Sequence, residues 1–314
     1  MTEIHLDTLF LDITSDQDEE RPILKQDDVT IFSRDAMSLI TGKAKSRKTF
    51  FLSAIVAALA KKNEILTLKR CSPTKTLWID TEQSIFHFHK SVARAYEMAN
   101  ISIMQNYEDI IPLSFSILST EQRVEKLKEA VEEYRPDVII IDGIRDFVLD
   151  INDVKESSRL KDLLMWIHHQ YDCHICCVLH QNKGDSNARG HLGSELTNKS
   201  ETVFSLEPIA NTTKVIPACC RNMQFNQFAF EIDEETSLPK LCKNSTKMTR
   251  DKKLIPALEE LFDEGKTYRY SELLPVLQVK LNIKKSTAES AIRHAVNIRL
   301  LIKDEQGVYH INNA

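Results

Sequence analysis

One stretch constrains this chain more than any other. The apolar run Met37-Ser38-Leu39-Ile40-Thr41 enters Gly42-Lys43-Ala44-Lys45-Ser46-Arg47-Lys48-Thr49, and an apolar segment follows over 49–62. A buried strand passing through a basic, glycine-opened loop into a helix fits the phosphate-binding pattern G-x-x-x-x-G-K-[ST] at every position but one. The backbone N–H groups of such a loop and the helix N-terminus cradle phosphates. Lys48 is then placed to reach the β- and γ-phosphates, and the Thr49 hydroxyl to sit on Mg²⁺. The departure is Arg47, where the pattern has glycine. Its side chain either narrows the approach of a triphosphate or adds charge to it.

Glycine is scarce, with 7 in 314 residues, against about 7% in average usage. Gly42, Gly143, Gly184, Gly190 and Gly193 fall in the phosphate loop, just past the apolar run ending at Asp142, and in the stretch after His180. Gly265 and Gly307 fall in a helix-ending turn and a hairpin tip. Glycine is needed where backbone approaches a ligand closely or takes positive φ.

Strand and helix signals alternate downstream of the loop. Strands are expected at 76–80, 138–142 and 173–180, with helices at 83–100, 121–134 and 157–170 between and around them. Further strands follow at 202–206, 214–220 and 227–232. This order predicts an α/β fold with a mainly parallel twisted sheet flanked by helices, extended by antiparallel strands. The polar stretch 233–251, which contains Pro239, reads as a linker. Beyond it, helices are expected at 253–263, 271–280 and 286–299, with short strands at 300–303 and 308–311. Ser286 and Glu289 have the spacing of a capping box. Three helices and a hairpin give a small winged helix-turn-helix layout. The expected organisation is an acidic N-terminal arm at 1–24, an ATPase domain at 25–235, a linker at 236–251 and a winged helix at 252–314.

Charge divides the same way. Residues 240–314 carry 14 basic and 9 acidic residues, whereas residues 1–239 carry 27 and 37. A basic tail on an acidic body suits an anionic partner such as DNA. No apolar run approaches the roughly 20 residues of a membrane helix. The acidic start lacks a secretory pattern. The 7 cysteines have no disulfide-scaffold spacing, so a reducing cytoplasm is expected and no membrane contact.

Several residues carry chemistry. Asp142 ends the strand Val138-Ile139-Ile140-Ile141-Asp142 and is expected to hold Mg²⁺ through water at the carboxyl end of the sheet. Glu82, just past the strand at 76–80, is placed to deprotonate the attacking water. His180 or Gln181, ending the strand at 173–180, could touch the γ-phosphate. The Gly-rich stretch 184–194 reads as a long loop which, with Lys183 and Arg189, could grip a nucleic-acid backbone. Arg221 could reach a neighbouring subunit's nucleotide. In the last domain Lys284, Lys285, Ser286 and Arg293 lie on or before the expected recognition helix, where helix-start residues read bases and basic ones hold phosphates. Cys173 and Cys176 stand three apart on a strand and so face opposite sides, which excludes chelation by this pair. His168 and His169 read as a surface or packed pair rather than as ligands.

Taken together, the phosphate loop, Glu82, Val-Ile-Ile-Ile-Asp ending at Asp142, His180-Gln181-Asn182-Lys183 and Ala188-Arg189-Gly190-x-x-x-Ser194 resemble the RecA-like ATPases. Within them the chain is most similar to plasmid RepA-type and replicative hexameric helicases and to ATPases of mobile elements. The resemblance covers about 30–235. It implies ATP and Mg²⁺ as ligands, Glu82 as catalytic base, His180 or Gln181 as sensor and 183–193 as the DNA-contacting loop. It also implies a hexameric ring with ATP between subunits, Arg221 as the finger, and replication or mobilisation proteins as partners. The sequence departs from the helicase pattern at Arg47 and at Cys219, where a lysine often stands. The reading is a DNA motor ATPase of helicase or translocase type. The alternatives are a nucleotide-switched DNA-binding regulator or loader with little hydrolysis, which Arg47 favours, and an assembly protein whose fold survives without nucleotide.

Overall fold

The computed structural model describes residues 21–312 apart from 62, 183–186, 243–246, 284, 299 and 305. The chain divides into two compact units between Cys242 and Lys243. Among the described residues, no helix is long and apolar enough to cross a membrane.

The first unit opens with a hairpin, β1 (Pro22–Gln26) and β2 (Val29–Ser33), turned at Asp27-Asp28 with Asp27 left-handed at φ 52°. There follow β3 (Ala36–Gly42), α1 (Lys48–Ala60), β4 (Lys69–Arg70), β5 (Thr76–Asp80) and α2 (Ile85–Met98). Next come β6 (Ile110–Ser114), α3 (Thr120–Tyr134), β7 (Val138–Asp142), a 3₁₀ turn (Ile144–Phe147), α4 (Val154–Tyr171) and β8 (His174–His180). The unit closes with α5 (Gly190–Lys199), β9 (Thr202–Ile209), β10 (Thr212–Cys220), β11 (Phe228–Ile232) and β12 (Pro239–Leu241).

Nine strands form one sheet in the order β12-β11-β10-β9-β3-β8-β7-β5-β6. From β9 to β6 every pairing is parallel, and β9 through β12 pair antiparallel. The phosphate-loop strand β3 thus lies between β8 and β9, and β8 separates it from β7. This is the α/β, RecA-like core that the sequence predicts.

Strand alternation sends side chains to two cores. Ile40, Trp78, Ile140, Cys176 and Phe204 pack on one face with α1 and α2. Leu39, Leu77, Ile139, Cys177 and Val203 pack on the other, with α3, α4 and α5. Cys173 belongs to the second core and Cys176 to the first, as alternation requires. Burial pushes both thiols up to about 12. Helix α1 is apolar on every side, which only a sandwiched helix tolerates. A small sheet, β2-β1-β4, shares the α1 core through Ile23, Leu24, Ile31 and Phe32. Phe51 anchors the start of α1 against Phe204, Phe230 and Phe228 at centroid distances of 5.4, 6.2 and 6.1 Å. Its removal would cost about 3–5 kcal/mol and loosen the helix that carries Lys48 and Thr49.

Four expectations need correction. Strand β1 starts at Pro22, inside the segment read as an arm. Strand β12 lies inside the stretch read as linker and pairs with β11 as the sheet's edge. Strand β6 was missed; Pro112 in its middle is tolerated because β6 is the other edge. The loop read over 184–194 ends earlier than expected, because α5 begins at Gly190. Gly190 takes φ 74°, and a Cβ there would meet Ile151 at 2.9 Å; at Gly193 it would meet the Ala188 carbonyl carbon at 2.5 Å. These glycines serve close packing of α5.

The second unit holds α6 (Lys247–Leu261), β13 (Tyr268–Arg269), α7 (Tyr270–Leu281), α8 (Lys285–Asn297), β14 (Leu301–Lys303) and β15 (Val308–Ile311). Its strands pair antiparallel in the order β13-β15-β14. Leu254, Leu258, Phe262, Leu273, Leu277 and Ile292 build its own core. On α8, Ala288, Ala291, Ile292 and Ala295 form the buried stripe, which leaves Lys285 and Arg293 exposed. Lys284 and the Ser286 side chain lie outside the described residues, and so does the capping box expected at Ser286.

Candidate nucleotide site

Four parallel strands, β3, β8, β7 and β5, deliver the site at their carboxyl ends. Gly42 ends β3 in register with His180 of β8, and Asp80 of β5 pairs with Asp142 of β7. The loop Lys43–Arg47 leaves β3 and feeds α1. Two of its residues are left-handed, Lys45 at φ 64° and Arg47 at φ 60°. The second explains why the pattern has glycine there: a Cβ is strained in that region. Arg47 nevertheless occupies it, as the residue that precedes α1. Its Nη1 donates to Thr212 O and Thr213 Oγ1, both at 3.1 Å. The guanidinium is therefore tied to the start of β10 and adds no charge to the phosphate position.

Lys48 is mostly buried. Its Nζ donates to Gly42 O and Lys43 O at 3.0 Å and lies 3.1 Å from His180 Nδ1. Burial lowers the ammonium's pKa, while Asp142 and Glu82 raise it. A lysine ammonium only donates, so Nδ1 accepts and Nε2 carries the ring proton. That second nitrogen faces Glu82 Oε2 at 3.8 Å, within electrostatic reach but longer than a hydrogen bond. The imidazole beside it holds the Glu82 carboxyl below its ordinary range against the effect of burial, with Lys48 assisting. Glu82 is thus an ionised carboxylate in a partly open position.

Thr49 Oγ1 is 3.4 Å from Asp142 Oδ2. Asp142 is buried and pushed up to about 8, chiefly by desolvation, with Asp80 and Glu82 adding to it against Lys48 and Thr49. Asp80 is also raised by burial and is occupied locally, accepting from the Gln83 backbone at 2.7 Å and from its amide. Gly143, at φ 97°, follows Asp142; a Cβ there would lie 2.1 Å from Thr81 Oγ1 and 2.8 Å from Glu82 Cγ. Glycine is what lets Glu82 stand beside Asp142.

The donor set fits a magnesium nucleotide. Mg²⁺ keeps several waters and takes one or two protein oxygens plus phosphates, rather than an all-protein cage. The Thr49 hydroxyl and the Asp142 carboxylate are such a pair, and a divalent cation would ionise Asp142. Among the described residues no group of three or more His, Cys, Asp and Glu forms a metal cage. The Ser46 hydroxyl is buried with no hydrogen-bond partner among the described residues.

Other expected site residues lie elsewhere. Gln181 is buried and donates to Thr41 Oγ1 at 3.3 Å and Ser205 Oγ at 3.0 Å. It turns away from Lys48, since neighbours on a strand point oppositely; His180 is the one in the site. Arg221 sits where β10 ends. That is the opposite end of the sheet from the phosphate loop, because Cys220 pairs with Thr202 at the start of β9. Its Nη2 donates to Asn198 O and Lys199 O at 3.2 Å, satisfying the end of α5. Arg189 is exposed and precedes α5. Lys183 lies outside the described residues. His168 and His169 both hold Asp35, at 2.7 and 3.0 Å. Sequence reading passed over the braces on the site, Gly143 against Glu82 and the β10 anchor of Arg47.

A family model described as an AAA domain matches residues 3–186, more than half of the chain. The chain belongs to this family. A search of curated proteins found no match to the sequence. The AAA match contains Lys48, Thr49, Glu82, Asp142 and His180, whereas Thr212 and Thr213, which hold Arg47, lie outside it. As a P-loop ATPase of this family the protein is a nucleotide-hydrolysing type in general. The match begins in the segment read as an arm and stops before β9, so β9 to β12 and the second unit lie outside it.

Proposed function

We propose that the protein hydrolyses ATP at this loop and couples turnover to DNA held through its basic C-terminal unit. The observation that carries the first half is the line Lys48–His180–Glu82 beside Thr49 and Asp142. Magnesium, when bound, supplies charge neutralisation at the phosphates. Lys48 and the N-terminus of α1 hold phosphate oxygens. Glu82 accepts a proton from the attacking water, and the His180 Nε2–H keeps that carboxylate ionised and aimed. Gly143 preserves the space this needs.

The DNA half rests on charge and shape. Three helices followed by a hairpin resemble a winged helix, and residues 240–314 carry 14 basic against 9 acidic residues. Lys285 and Arg293 on the open side of α8, and Arg189 before α5, are the proposed phosphate contacts. The ring assembly, helicase activity and replication or mobilisation role implied by the resemblance belong to the motor form of this reading. A nucleotide-switched regulator or loader is the form with little turnover. Arg47 turned onto β10 leaves the phosphate position open and favours turnover. The test is steady-state ATP hydrolysis with and without single- and double-stranded DNA. Stimulation by DNA supports the motor; nucleotide and DNA binding without turnover supports the switch.

A further inference from the structure

Arg47 belongs to two places at once. Its backbone is the last position of the phosphate loop, and its side chain lines a cavity of about 530 Å³ bordered by the β9–β10 and β11–β12 turns. The family pattern has glycine at this position, so the loop motif does not foresee the contact. Both turns rise from the end of the sheet that carries the phosphate loop: Gly42 pairs with Leu206 of β9, which ends three residues further along at Ile209, and Thr212 of β10 pairs with Glu231 near the end of β11. The cavity therefore lies at the same end of the sheet as the phosphate loop, with Arg47 common to both.

Its walls are built. Lys240 bridges Asp233 at 2.8 Å and Glu231 at 3.5 Å, which fixes the β11–β12 turn. Asp233 also accepts from the Thr236 backbone at 2.9 Å. Asn211, Ile232, Glu234 and Glu235 complete the lining. The volume is that of a small-ligand pocket, about 300–1,000 Å³. The carboxylates repel phosphate oxygens, so the triphosphate stays on the loop. They accept hydrogen bonds, so they suit a neutral group rich in donors, such as ribose hydroxyls and an exocyclic amine. Arg47 hydrogen-bonds within its plane to Thr212 and Thr213, which leaves the guanidinium faces for stacking on a base.

We infer that this cavity holds the nucleoside of the bound nucleotide, with Arg47 as stacking platform and Asn211 and Glu235 as hydrogen-bond partners. The inference rests on the nucleotide reading of the loop. Titration calorimetry with ATP and with tripolyphosphate separates the two, because tripolyphosphate has phosphates and no nucleoside. Arg47→Lys, Asn211→Ala and Glu235→Ala are each expected to weaken ATP roughly 5–10-fold, the size of one lost hydrogen bond or stack. Tripolyphosphate should change by less than about twofold in the same variants. Lys48→Ala should weaken both ligands together. Equal losses of both ligands in the three cavity variants, or no loss of either, would overturn the nucleoside site while leaving the loop reading intact. Unchanged binding of both ligands to Lys48→Ala would overturn the loop reading itself.

Discussion

Lys48 and His180 meet across the junction of β3 and β8, Nζ to Nδ1 at 3.1 Å. The contact fixes which imidazole nitrogen carries the proton, and it turns that N–H toward Glu82. One ring thus links the residue proposed to hold phosphate to the residue proposed to activate water. Replacing His180 with Asn or Ala should lower kcat by about 10–100-fold while changing KM far less, since an orienting group acts on the chemical step. Stopped-flow phosphate release on the variants checks this. Equal changes in kcat and KM would count against the orienting role.

Gly143 is the second support. Gly143→Ala would place a methyl 2.1 Å from Thr81 Oγ1 and 2.8 Å from Glu82 Cγ, at φ 97°. Strain and overlap together should cost about 2–4 kcal/mol of stability and displace Glu82. Thermal melting and turnover measured on one preparation should both fall. Wild-type turnover in this variant would show that Glu82 need not stand where it does.

Much of this was legible in the sequence. The core strands and helices announced themselves through apolar runs and periodicity; Lys48 and Thr49 opened the helix after the loop, and Glu82, Asp142 and His180 stood at or just past strand ends where α/β folds put chemistry. What stayed hidden depends on pairing at a distance. The two glycines in the first turn of α5 read as loop, because their packing against Ile151 and Ala188 is invisible locally. Pro112 masked β6 until its edge position was known. Gln181 and His180 were equivalent in sequence; only the strand's phase relative to Lys48 separates them. Arg47 could be weighed two ways until its partners, Thr212 and Thr213, were seen.

His174 gives a pH dependence that is independent of the nucleotide site. It is buried between Ser33 O and Ser38 Oγ, each at 2.9 Å, and stacks on Phe32 at 4.1 Å. Burial pushes it down to about 3. The unfolded chain therefore binds a proton near pH 6.5 that the folded chain refuses. This neutral histidine's contribution is complete above about pH 6.5 and is lost as pH falls toward 3, at up to about 1.4 kcal/mol per pH unit. Urea unfolding at pH 7 and pH 5 should show the loss, and His174→Gln should flatten it. An identical slope in the variant would contradict the assignment.

The C-terminal unit should bind DNA through phosphate contacts. Lys285→Ala and Arg293→Ala should each weaken binding several-fold for any sequence, and each should reduce the slope of log affinity against log salt by about 1. Fluorescence anisotropy across a salt series measures both. Unaltered affinity and slope in the double variant would remove α8 from the proposed DNA surface.

Glu82 is proposed to activate water at a loop that binds nucleotide without its help. Glu82→Gln tests it most directly, with ATP affinity and single-turnover hydrolysis measured side by side. ATP affinity should stay within about twofold of wild type, and hydrolysis should slow by about 10²–10⁴-fold. Hydrolysis at the wild-type rate in Glu82→Gln would contradict it.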